Sequence, residues 1–270
     1  MNLYYAIIIY NKECENSVTL KKLKQEKNII IVDNSTLKNN NAEFCTKNNI
    51  KYINMDGNAG LSKAYNKVLE NLIKENVKED YIMWLDDDTN ITKEYIDLVK
   101  KNIGKYDVIL PIIRCDKKIV SPLKKYGIKY IGFENENYSN FKNIYGINSC
   151  LTVKLNLYKE YRYNEKLFLD NIDLDFFKNV VINKNLKIKI LESKIQQNLF
   201  LIKNESDENF KKRYYTYLKD NYIYNNSIIE RILIVLKVFY CSFKYSIKYK
   251  KINIASFILK SYIRIIREEK

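Results

Sequence analysis

The chain has 270 residues, 46% of them hydrophobic, and 47 Lys and Arg against 32 Asp and Glu give a formal net charge of +15. That length holds one large α/β domain, or one domain with a helical appendage, and the apolar fraction is enough for a core. Histidine is absent, which excludes His-based triads, His-ligated metals and imidazole bases and leaves acid–base work to carboxylates, Lys, Tyr or Cys.

The N-terminus runs from Met1 into the apolar segment Leu3–Tyr10, the first predicted strand, without the charged start and small-residue cleavage site of a signal peptide. A helix over Ser17–Gln25 follows, then a strand over Asn28–Asp33, a helix over Ala42–Asn48 and a strand over Lys51–Ile53. Leu61–Lys74 is amphipathic and helical, Tyr81–Leu85 is a strand, Lys93–Asn102 a helix and Asp107–Ile112 a strand. Their continuous Ile, Val and Leu content suits a sheet buried on both faces. Alternating βαβα order predicts an α/β fold with a mainly parallel sheet, helices on both faces and ligands beyond the C-terminal strand ends.

From Asp116 to Asn148 the pattern loosens into Tyr- and Asn-rich sequence, read as an insertion or mobile loop. From Ser206 onward it turns helical. Ile229, Ile232, Leu233, Leu236, Phe239, Tyr240, Phe243 and Ile247 recur at three- and four-residue spacing, with Glu230, Arg231, Lys237, Lys244 and Lys248 on the other face. The expected division is residues 1–205 as a catalytic domain and 206–270 as a helical region. No apolar run reaches the roughly 20 residues that cross a bilayer. Cys14, Cys45, Cys115, Cys150 and Cys241 are scattered without CxxC spacing, which fits a reducing cytosol rather than a zinc or disulfide framework.

Candidate site residues fall at the strand ends. Tyr10 and Asn11 follow the first strand and Asp33 closes the second. Asp33 could accept hydrogen bonds from a base or ribose, or simply form an Asx-turn. Asn58, Gly60 and Lys63 lie at a glycine turn and helix start, whose backbone N–H groups could face a phosphate or belong to an ordinary capped helix. Asp86, Asp87 and Asp88 follow the strand Tyr81–Leu85. Crowded carboxylates repel one another, and a hard dication such as Mg²⁺ or Mn²⁺ would neutralise them. The alternative is an acidic loop in which Asp88 or Thr89 caps the helix beginning near Thr92. Asp170 and Asp173, three apart, share a face of a helical turn. Either could be a general base, or both could be acids drawn to a helix N-terminus.

In this order the segments resemble inverting nucleotide-sugar glycosyltransferases of family two, with the GT-A fold, and most closely a bacterial rhamnosyltransferase-like branch that builds surface polysaccharides such as capsule. The resemblance covers roughly residues 3–225. It implies a base-binding role for Asp33, a donor-side role for Asn58 and Gly60, and a DxD-type element at Asp86–Asp88. There Asp88 would contact the metal and Asp86 lie near the ribose and metal. Asn148, Ser149 and Cys150 resemble a strand lining the acceptor site. Leu169–Asp173 resembles the acidic segment that supplies the base, and Arg213–Asn221 resembles an RxYYxxRN element. Two departures accompany it. The histidine metal ligand expected after the last strand is missing, with Gln196 or Gln197 in its place. Asn171 stands where relatives carry aspartate, so the base is assigned to Asp170 first and Asp173 second.

The implied partners are a nucleoside-diphosphate sugar, UDP- or dTDP-linked, and a saccharide or lipid-linked saccharide acceptor. The positive charge raises nucleic-acid binding as a non-enzyme alternative, but there is no RNP-like, helix-turn-helix or zinc-finger signature, and nucleic acid is not expected as a partner. A sugar-phosphate nucleotidyltransferase is the enzyme alternative, although Tyr10–Glu13 is not its glycine-rich signature. Residues 222–270 hold ten Lys and Arg and three Glu. Their helices suit either the inner face of an anionic cell membrane or packing on the catalytic domain or a second subunit, as in a homodimer.

Overall fold

The computed structural model describes residues 1–74, 79–133, 143–184, 186–196, 207–249 and 251–269. Its first half repeats the expected alternation: β1 (Leu3–Ile9), α1 (Val18–Lys22), β2 (Ile29–Asp33), α2 (Asn41–Lys47), β3 (Lys51–Asn54), α3 (Leu61–Lys74), β4 (Tyr81–Asp86), α4 (Lys93–Asn102) and β5 (Val108–Cys115). Then come β6 (Lys118–Ser121), β7 (Leu123–Tyr126), β8 (Lys129–Gly132), β9 (Ile144–Tyr145), β10 (Thr152–Lys154), α5 (Ile172–Phe176) and β11 (Ile188–Gln196). Three helices close the chain: α6 (Asp207–Tyr224), α7 (Ile228–Tyr249) and α8 (Ile252–Glu268).

The main sheet runs β11-β5-β10-β4-β1-β2-β3, with β6 paired to β5. β1 to β4 are mutually parallel, and β10 enters antiparallel between β4 and β5. Side chains of β4 alternate between the two faces, as a period of two demands. Ile82 and Trp84 pack with Tyr65, Val68, Leu69 and Leu72 of α3. Tyr81, Met83 and Leu85 pack on the opposite face with Tyr95, Ile96 and Val99 of α4. Thr92, rather than Asp88 or Thr89, caps α4, its side chain accepting from the Tyr95 N–H. The acidic triplet is therefore not spent on a helix start.

Among its described residues, the segment expected as an insertion or mobile loop is mostly strand. β7 pairs with β8 and β9 in a small antiparallel sheet, and Phe133, Ile144 and Tyr145 join the main core. Residues 134–142 of that segment lie outside the described residues. The C-terminal helices share a core of their own, in which Phe210, Tyr214 and Leu218 meet Ile234, Val238, Ile254, Ile258, Tyr262 and Ile265. α6 also reaches back, since Tyr224 is buried in the main core. Among the described residues no helix is long and apolar enough to cross a membrane.

Candidate active site

Parallel strands leave their C-terminal loops at one edge, and the loops after β1, β2 and β4 meet there. The Asn11 side chain accepts hydrogen bonds from the Thr36 and Leu37 backbone N–H groups at 2.8 and 3.0 Å, tying the first loop to the second. Tyr10 is exposed beside it. Asp33 is buried. Burial works against its charge, but hydrogen bonds from the Ser35 N–H, Asn41 and the Tyr52 hydroxyl at 3.0 Å outweigh it and hold the carboxyl below its ordinary value. In the third loop, the Lys12 ammonium lies 2.9 Å from Asp87, and burial still pushes that carboxyl upward. Asp86 is half-buried at the strand end and Asp88 is exposed at the tip.

In the turn before α3, three N–H groups are engaged within the chain. The Ala59 N–H donates to Asn34, the Gly60 N–H to the Asn58 side chain and the Leu61 N–H to the Phe168 carbonyl, while Lys63 is exposed. This stretch also fastens the segment leading to Asp173. The Ser62 hydroxyl donates to the Leu167 carbonyl at 2.6 Å, and the Asn66 amide donates to the Tyr163 carbonyl at 2.9 Å. Gly60 has φ +88°, and a Cβ there would stand 2.9 Å from the Phe168 carbonyl oxygen, so glycine is required twice over. From the other side, the Asp220 carboxylate of α6 accepts the backbone N–H groups of Phe168, Leu169 and Asp170 at 3.0, 2.8 and 2.7 Å.

The two candidate bases sit in different surroundings. Both Asp170 oxygens are engaged by the Arg213 guanidinium at 2.5 and 2.7 Å. Asp173 keeps partial exposure, while the protein crowded about its carboxyl raises its pKa to about 7. The Leu174 N–H at 2.8 Å opposes that rise and the charge of Asp170 adds to it. Between Asp173 and the acidic triplet lies Tyr65, whose phenol burial and the charges of Asp86 and Asp173 raise well above its ordinary value. Asp86 and Asp173 thus both act on the same buried phenol. Asn148, buried beside Tyr65, leaves its carbonyl oxygen without a hydrogen-bond partner. Ser149 meets the Thr89 hydroxyl at 3.2 Å. Cys150 continues to the sheet, its N–H donating to the Trp84 carbonyl, and burial raises its thiol well above the ordinary value.

Residues 5–162 match Glycosyl transferase family 2. The chain belongs to this family. Among curated proteins none matches the transferase in sequence. Among solved structures it is similar to S. aureus TarS 1–349, at 16% identity and TM-score 0.51, over 88% of this chain and 65% of that one. The same TarS fragment in complex with UDP-GlcNAc gives 18% identity and TM-score 0.52, over 88% and 66%. The chain spans only 44% of the longer TarS structure. At such identity the likeness concerns the fold, a GT-A arrangement with C-terminal helices added.

In this family member the predicted positions Tyr10, Asn11, Asp33, Asn58, Asp86, Asp87 and Asp88 follow or close strands β1 to β4, and Asn148, Asp170 and Asp173 lie later in the chain, beyond β9. Gln197 lies outside the described residues, and Gln196 ends β11. Sequence reasoning missed Lys12, Tyr65 and the N–H-binding role of Asp220. Lys12 adjoins the predicted pair Tyr10–Asn11 and Tyr65 stands inside the glycine stretch, so position alone could have flagged them.

Proposed function

We propose that this transferase moves a sugar from a nucleoside diphosphate to a saccharide hydroxyl with inversion, and that Asp173 is the base. The acceptor oxygen attacks the anomeric carbon, its proton passes to Asp173, and the bond to the diphosphate breaks on the opposite face. The carrying observation is that Asp173 is held at about 7, while its charge and that of Asp86 both bear on the buried Tyr65 phenol. A base poised near the working pH is the favoured arrangement. Asp170 has its charge committed to Arg213, which supports a positioning role for that pair.

Asp33 and its polar shell suit the base or ribose of the donor. UDP is the first candidate nucleotide, since TarS has been crystallised with UDP and UDP-GlcNAc, with dTDP second. The sugar is read as a hexose or rhamnose-like group. Asp86 and Asp88 fit a Mn²⁺ or Mg²⁺ held jointly with the diphosphate. Among the described residues no three His, Cys, Asp or Glu side chains cluster as a cage, and one or two carboxylates completed by substrate phosphates is the usual set for such ions. When bound, the ion supplies neutralisation of charge on the departing diphosphate. A lipid-linked acceptor of surface-polysaccharide assembly is supported by the cavity of about 900 Å³ beside Asp170 and Arg213, lined with Lys129, Tyr214 and Tyr217.

The test is a transfer assay with nucleotide titration in parallel. Asp173→Asn is expected to lose on the order of 10²–10⁴ in turnover while binding UDP as the native chain does. Near-native turnover in that variant would return the base role to Asp170.

A further inference from the structure

We propose that the outward face of α7 docks on an anionic lipid bilayer. Among the described residues α7 exposes more large apolar side chains than any other element: Ile229, Ile232, Leu236, Phe239, Phe243 and Ile247 are all exposed, Phe243 to 70%. They recur at three- and four-residue spacing, so they form one stripe along a helix about 33 Å long. A stripe of this size is rare on a surface with nothing to cover it. Lys237, Lys244 and Lys248 follow one edge of it, on the side of the cavity beside Asp170. Among the described residues none of the three has a carboxylate partner. They lie over rings instead, Lys237 at 5.0 Å from Tyr217 and Lys248 at 5.3 Å from Tyr249.

Charge chooses the occupant. The sole acid of α7 is Glu230, already engaged by Lys125 at 2.8 Å. Self-pairing of two α7 faces would bring lysine rows together with no acid to answer them. An anionic leaflet answers both features, with acyl chains against the stripe and phosphates against the lysines. α7 would lie along the interface, since no described helix is apolar enough to span it. Docking of this kind is independent of the transfer chemistry.

The experiment is co-sedimentation of the full chain with phosphatidylcholine vesicles, with and without phosphatidylglycerol, at about 0.15 M salt. The native chain is expected to pellet with the anionic vesicles alone. The exposed double substitution Phe239→Ser/Phe243→Ser should abolish pelleting. Lys237→Gln/Lys244→Gln/Lys248→Gln should weaken it about 100-fold. Native protein that stays in the supernatant with anionic vesicles overturns the idea. So does a dimer in sedimentation velocity that the Phe239→Ser/Phe243→Ser change dissociates, because a second copy would then own the stripe.

Discussion

A carboxyl held at about 7 works against the fold that holds it, and Asp173 shows the sign. In the unfolded chain an aspartate titrates near ~3.9. Folding therefore binds the proton more tightly, and stability present below that value declines as pH rises toward 7 and stays reduced above it. Asp173→Asn is expected to melt later than the native chain at pH 8, by on the order of 1–3 kcal/mol, with the gap closing near the unfolded-state pKa. The native turnover should climb as pH rises through about 7, because only the ionised base takes a proton. Gly60→Ala makes a separate case: with φ +88° and the Phe168 ring and carbonyl in the way, it should cost about 1–3 kcal/mol in chemical denaturation. Lys12→Ala is expected to raise the Asp87 pKa further, since burial already prevails over the ammonium beside it. Titration followed by NMR of the Asp87 carboxyl checks this.

At the scale of elements, α3 and α6 together position the segment that carries Asp170 and Asp173. Asp220→Ala would strip the backbone N–H groups of Phe168, Leu169 and Asp170 of their acceptor, and one such buried donor costs about 1–3 kcal/mol. Faster amide exchange at these three positions is expected, with turnover falling more than nucleotide affinity. The strands β1 to β5 and helices α3 and α4 were legible in the sequence, because continuous Ile and Val runs and a 3.6-residue stripe leave few readings. The short strands β6 to β9 were not, since Lys and Tyr interrupt a half-buried pattern and pairing with distant strands decides it. In the site, the acids were visible as types but their roles were not. Arg213 meets Asp170 across 43 residues and Asp220 meets the Asp170 N–H across 50, and such meetings belong to the fold alone. The same distance hid the reason for Ser62 and Asn66, which read as ordinary helix polar residues until their partners came into view.

On the scale of the molecule, the helical region is joined to the sheet rather than hung from it. Tyr224 is buried in the main core, its hydroxyl 2.6 Å from that of Tyr130, and Asp220 anchors the segment before Asp173. A chain ended at residue 206 is expected to melt well below the native one, the loss of Tyr224 alone being worth about 3 kcal/mol. Thermal unfolding of the two lengths checks this. The doubly fastened segment has one further implication. Stapled from α3 at Leu167 and Phe168 and from α6 at Phe168, Leu169 and Asp170, it has little room to swing. With Asp173 as the proposed base, the proton acceptor would be a fixed post, and the acceptor sugar would have to travel to it.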